Sequence, residues 1–162
     1  MGCGKTLVSI AVAGALYQAD KIQRVLVVAP LSLLGNWEDE FTRFSDFPVA
    51  ATVLKGTMEK KRETLKKAGA ESGEDKPLAV AIVNYESAWR MEKNLMAYAP
   101  DLIIVDEGHK IKEGRTSQSK CLHHLGDRAM FRLLLTGTVI TNKEIDVWSQ
   151  YRFVDPRIFG KS

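Results

Sequence analysis

The sequence predicts an α/β fold: a mainly parallel sheet with helices on both faces, in three layers. Three observations predict it. Continuous aliphatic runs such as RVLVVA at 24–29 and LIIV within 101–107 lack polar alternation, as expected of strands covered on both sides. Stretches with helical spacing separate these runs, and strands joined by crossover helices lie parallel. The 162-residue chain has one linker-like piece, 71–77, which is too short to divide it into domains.

The elements follow in order. Small and apolar residues recur at helical spacing over 5–19, and 24–29 is a buried strand. Pro30 and Leu31-Ser32 lead into a helix, LLGNWEDEFTRF, and 51–54 form a short strand. Residues 58–70 read as a strongly charged helix that ends in the loop ESGEDK. LAVAIVNY at 78–85 is a strand, SAWRMEKNLMAY a helix, and DLIIVDE at 101–107 a strand that stops at two acids. A helix is expected over 115–126, a strand over 130–138 and a last helix over 143–153.

Hydrophobic residues make up 45% of the chain and charged residues 27%, which is ordinary for a globular domain able to bury a core. A net charge of +3 accommodates an anionic partner without requiring one. Cys3 and Cys121 form no CxxC pair, which argues against structural zinc and against a disulfide framework. No apolar run approaches the ~20 residues of a membrane span. No signal peptide pattern opens the chain. The expected setting is reducing and cytoplasmic, with no membrane partner.

Three polar signatures fall where strands should end, the edge at which such sheets gather ligands. Gly2, Cys3, Gly4, Lys5 and Thr6 (GCGKT) form the second half of a phosphate-binding loop at a helix start. There Lys5 would neutralise phosphate charge and Thr6 would offer its hydroxyl to Mg²⁺. The same residues could also be an ordinary helix start. Next, IIVDEGH at 103–109 carries Asp106 and Glu107 off an aliphatic strand. Asp106 suits a metal, and Glu107 suits orienting and deprotonating water. A solvated turn or a helix cap is the plainer reading of the two acids. Third, Leu135-Thr136-Gly137-Thr138 places hydroxyls at a strand end, which can contact phosphate or serve only as a turn.

Together these stretches resemble the first RecA-like lobe of a superfamily two helicase (a P-loop NTPase), and more closely the SWI/SNF group of DNA-translocating ATPases. MGCGKT resembles the family's motif I, and VLVVAPLSLLGNWEDEF its motif Ia. IVNYES at 82–87 resembles its Tyr-Glu segment, and DLIIVDEGHKIK its motif II. LLLTGTVITNKEIDVWSQYRFVDPRIFG resembles motif III and the helix after it, with Asn142, Asp146, Trp148, Phe153, Pro156 and Gly160 in register. Val139 stands where the family usually has proline, and Glu113 where asparagine often follows Ile-Lys.

The resemblance implies ATP held by Gly2, Cys3, Gly4, Lys5 and Thr6, with Mg²⁺ shared between Thr6 and Asp106. Lys5, Asp106 and Glu107 would be the catalytic residues. His109, Thr136, Gly137 and Thr138 would couple hydrolysis to movement. Pro30, Ser32 and Asn36, with Asn84 and Tyr85 as secondary candidates, would contact DNA phosphates without sequence preference. The family has a strand and an adenine-contacting region before motif I, and a second RecA-like lobe that brings an arginine finger. Residues 1–162 are therefore expected to be a partial ATP-binding domain, with the first strand and second lobe missing and little turnover alone. The compact spacing between motifs suggests a bacterial or phage source.

Other features read as structural. Lys60, Lys61, Arg62, Lys66 and Lys67 are interleaved with Glu59 and Glu63 and suggest a solvated helix face. His123-His124 reads as a surface pair. Trp37, Trp89 and Trp148 read as packing residues on apolar helix faces. A non-catalytic binding remnant of such a protein, or the helicase subunit of a restriction system, are the competing readings.

Overall fold

The computed structural model describes residues 4–111, 113–137 and 144–158, without the side chains of 144–146. Five parallel strands form one sheet in the order β2-β3-β1-β4-β5. These are β1 (Arg24–Ala29), β2 (Val49–Val53), β3 (Leu78–Asn84), β4 (Leu102–Val105) and β5 (Phe131–Leu134). The helices are α1 (Lys5–Gln18), α2 (Leu34–Phe44), α3 (Met58–Ala70), α4 (Tyr85–Arg90), α5 (Glu92–Tyr98), α6 (Ser117–Arg128) and α7 (Glu144–Val154). The parallel sheet with helices on both faces is the predicted fold class.

Strand periodicity builds two cores. Val25, Val27 and Ala29 face one side of the sheet, and Leu26 and Val28 the other. On the first side they meet Ile10 and Ala13 of α1 and Leu34, Trp37 and Phe41 of α2. On the second they meet Leu65, Ala88, Leu95, Leu122 and Leu125 of α3 to α6, with Phe153 of α7. Every residue of β4 and all but the first of β1 are buried, which is why these strands carry no polar alternation.

The register levels the strand ends. Val28 pairs with Val83 on one side and with Val105 on the other, and Val105 pairs with Leu134. The residues that follow these four therefore emerge along one edge of the sheet.

Several element boundaries differ from expectation. The third predicted strand stops at Asn84, whose side chain accepts from Ser87 N at 3.1 Å and caps α4, so Tyr85 opens a helix. The following helix breaks at Met91 (φ −108°, ψ 15°), whose side chain is wholly buried between α4 and α5. The 130–138 strand shortens to Phe131–Leu134.

Two side-chain expectations are corrected. His123 is buried, not on the surface: its Nε2 lies 3.0 Å from Ser149 O, and its ring stands edge-on to Trp148. Only His124 faces solvent, paired with Glu92 at 2.8 Å. Trp89 is exposed rather than packed, with its indole donating to Glu86 and Arg90 lying over the ring. The basic face of α3 is solvated except at Lys61, whose Nζ donates to Ser87 Oγ at 2.7 Å. No helix among the described residues is long and apolar enough to cross a membrane.

Candidate functional site

The level strand ends and the start of α1 enclose a cleft of about 420 Å³ lined by Lys5, Thr6, Asn36, Trp37, Asp106 and Glu107, among others. Gly4 caps α1 in the left-handed conformation (φ 74°), which a glycine adopts without strain. No acidic residue occupies the first turn of α1, so its positive end is not offset there. Lys5 heads this helix, and a Cβ on Gly137 would lie 3.7 Å from Lys5 Nζ. The motif I and motif III segments therefore meet at one point.

β4 delivers the two acids. The Asp106 carboxylate is buried and accepts two donors: Glu107 N to Oδ1 at 2.8 Å, and Trp37 Nε1 to Oδ2 at 2.9 Å. Glu107 turns into the left-handed region (φ 55°), a conformation that costs a non-glycine residue on the order of 1 kcal/mol. The turn continues as a 3₁₀ segment, Gly108–Ile111, tied to the motif III strand by Gly108 N to Leu135 O at 2.8 Å. His109 Nδ1 lies 3.1 Å from Glu107 Oε2, an ion-pair distance outside hydrogen-bond alignment.

The sequence-predicted residues fall in several places. Gly4, Lys5, Thr6, Asp106 and Glu107 share the cleft, with Gly137 beside Lys5 and His109 beside Glu107. Pro30, Ser32 and Asn36 follow β1 on the same edge; Ser32 and Asn36 are exposed, and Asn36 also lines the cleft. Thr136 is half-buried just past β5. Gly2, Cys3 and Thr138 lie outside the described residues.

The two secondary DNA-contact candidates have partners within the chain. Asn84 uses its side chain as the α4 cap. Tyr85 is buried, and its hydroxyl donates to Asp106 O and lies 3.3 Å from Glu107 O. Burial, reinforced by the charges of Asp106 and Glu107, pushes the Tyr85 phenol well above its ordinary value, so it stays protonated as a donor. Sequence reasoning assigned Trp37 to packing and Tyr85 to DNA, and missed their hydrogen bonds to Asp106. The signal lay in their chemistry, since a buried indole or phenol needs an acceptor.

The donor set fits Mg²⁺. Mg²⁺ keeps several waters and is held by one or two carboxylates together with substrate phosphates, so it needs no all-protein cage. Asp106, oriented by two donors, and the Thr6 hydroxyl on the same cleft match that demand. A second cleft of about 450 Å³, between α3 and α5, is lined by Arg24, Arg62, Lys66 and Asn94 and contains none of these motifs.

Comparison with known proteins agrees with this geometry. The SNF2-related domain family matches residues 1–162. The chromatin-remodeling ATPase INO80 of Cryptococcus neoformans is 35% identical over 164 residues, covering 98% of this chain and 9% of that protein. The ISWI chromatin-remodeling complex ATPase ISW1 of Saccharomyces cerevisiae is 36% identical over 161 residues, covering 99% and 14%. The solved Sulfolobus solfataricus SWI2/SNF2 ATPase core in complex with dsDNA superposes with a TM-score of 0.78 at 30% identity, covering 99% of this chain and 31% of that one. The chain thus spans a small part of these relatives. They come from fungi and an archaeon, so the expected bacterial or phage source gains no support. With the phosphate-loop half, the Asp-Glu strand end and the motif III segment brought to one cleft, and the match running the length of the chain, this protein belongs to the SNF2-related domain family.

Proposed function

We propose that this chain is the ATP-binding lobe of a DNA-dependent ATPase that couples hydrolysis to movement along duplex DNA. The observation that carries the reading is the convergence of Lys5, Thr6, Asp106 and Glu107 on one cleft, with Gly137 beside Lys5. The N–H groups at the start of α1, with Lys5, hold the β- and γ-phosphates. Thr6 and Asp106 hold Mg²⁺, which when bound neutralises charge on the transferring phosphoryl group.

Glu107 orients a water for in-line attack and takes its proton as the water oxygen bonds to the γ-phosphorus. The bond from that phosphorus to the bridging oxygen breaks, and ADP leaves with the electron pair. A second RecA-like lobe supplies an arginine to the same phosphates, and turnover depends on it. Gly4 and the adjacent Gly2 and Cys3 complete the phosphate cradle.

Duplex DNA is the partner that best fits the exposed edge after β1. Pro30, Ser32 and Asn36 contact phosphates there, which positions the motor without reading sequence. The structural relative, solved in complex with dsDNA, supports this choice. His109, Thr136 and Gly137, with Thr138, couple the phosphate site to lobe movement. The setting is intracellular, where ATP and DNA are both available.

The test is a pair of variants read by fluorescent-nucleotide titration and by phosphate release with duplex DNA. Glu107→Gln keeps nucleotide affinity while hydrolysis falls by about 100-fold or more. Lys5→Ala weakens binding itself by about tenfold. If both variants bind as the parent does and the parent hydrolyses nothing with duplex DNA and the second lobe supplied, the chain is a non-catalytic module.

A further inference from the structure

The carboxylate expected to hold Mg²⁺ is gripped by a residue from another element. Trp37 lies on α2, its side chain is 2% exposed, and its ring packs against Phe41 with centroids 6.1 Å apart. Its Nε1 donates to Asp106 Oδ2 at 2.9 Å, while Glu107 N takes Oδ1 at 2.8 Å. An indole is a donor only, so this carboxylate is the one acceptor that satisfies Trp37. A backbone donor on one oxygen and a rigid ring donor on the other fix the plane of the carboxylate. One lone pair on each oxygen stays free for a hydrated cation.

Packing alone does not require this arrangement, because phenylalanine would fill the same apolar pocket without a polar atom. The N–H has a specific address, the acid that bounds the cleft. It also reaches that acid from the helix that carries Asn36, one of the residues placed at the exposed edge.

We propose that Trp37 is a positioning residue for Asp106: its indole N–H sets the carboxylate that receives Mg²⁺ with the nucleotide. The affinity for Mg²⁺, and not for the nucleotide alone, therefore depends on that N–H. The proposal rests on the Mg²⁺–nucleotide reading above.

The experiment compares the parent with Trp37→Phe, which keeps the ring and removes the donor. A fluorescent ATP analogue is titrated in EDTA and across a Mg²⁺ series. The Mg²⁺ concentration for half-maximal enhancement rises about tenfold in the variant, in line with loss of an orienting partner of a metal ligand. Affinity in EDTA stays within about twofold, since the N–H does not touch phosphate. An unchanged Mg²⁺ requirement overturns the proposal, and so does an equal loss with and without Mg²⁺, which marks a merely structural role.

Should Trp37→Phe fail to fold, the indole N–H resonances of the parent decide. Adding Mg²⁺ to the nucleotide-bound protein moves the Trp37 resonance and leaves those of Trp89 and Trp148 in place. A Trp37 resonance that does not move overturns the proposal. A parent that binds no nucleotide overturns the functional reading and this proposal together, whereas a Mg²⁺-dependent parent with an unaffected variant overturns this one alone.

Discussion

The hydroxyl of Tyr85 donates to the backbone carbonyl of Asp106 and lies 3.3 Å from that of Glu107. One buried phenol thus spans the two peptide groups that follow β4. The second of these leads out of a left-handed Glu107 (φ 55°), so the brace sits where the backbone is least relaxed. Tyr85 therefore links the end of β3 to the acid expected to act on water.

Replacing Tyr85 with Phe removes the donor and leaves the ring. The two carbonyls lose a buried partner at a cost of about 1–3 kcal/mol, read as a lower denaturant midpoint. Hydrolysis falls further than nucleotide binding, because Glu107 shifts while Lys5 and Thr6 do not. A variant that loses both equally would show that Tyr85 only packs.

Gly108 leaves no room for a methyl group. A Cβ there would lie 2.7 Å from both Cγ and Cδ1 of Leu134 on β5. Gly108→Ala is expected to destabilise the chain by about 1–3 kcal/mol through overpacking. Leu134→Ala opens that space, so the double variant costs less than the sum of the single ones. Urea denaturation of the four chains checks the coupling, and simple additivity would contradict the contact.

His123 makes stability depend on pH. Burial, aided by Arg152 and His124, pushes its pKa below the ordinary 6.5, against the opposing pull of its bond to Ser149 O and the charge of Asp127. The unfolded chain therefore binds more protons than the folded one from pH ~6.5 down to the lowered folded value. The contribution of His123 is complete above about pH 6.5, declines as pH falls through that window and levels off below it. Asp127 acts lower down: the hydrogen bonds from Arg152 hold its carboxyl below the ordinary 3.8, so its contribution is lost only as pH falls past that value. Denaturant midpoints at pH 7.5 and 5.5 should differ less for His123→Gln than for the parent.

Cys121 should be inert in the folded chain. It is 1% exposed, its Sγ donates to Ala88 O at 3.6 Å, and burial, with the nearby charge of Glu92, pushes the thiol up to about 12. Alkylation under native conditions should leave the Cys121 peptide unmodified by mass spectrometry, and labelling in denaturant should be complete. Rapid native labelling would mean that α6 opens locally.

The sequence by itself determined the strands and most helices. The all-apolar runs of β1 and β4 have one stable placement, between helices, and the charged 58–70 stretch matches α3 residue for residue. It also singled out Lys5, Thr6, Asp106 and Glu107, which the fold brings to one cleft, because phosphate and metal sites draw on few residue types at strand ends. Tertiary structure decided which side chains surround that cleft. Trp37 and Asp106 are 69 residues apart and meet only because β1 and β4 pair side by side. Tyr85 turns inward because Asn84 caps a helix where the run LAVAIVNY had predicted strand. His123 is buried because α7 covers α6, a contact with no local trace in the His-His pair. Local pattern records what a segment requires of its surroundings, and the pairing of distant segments decides which residue meets the requirement.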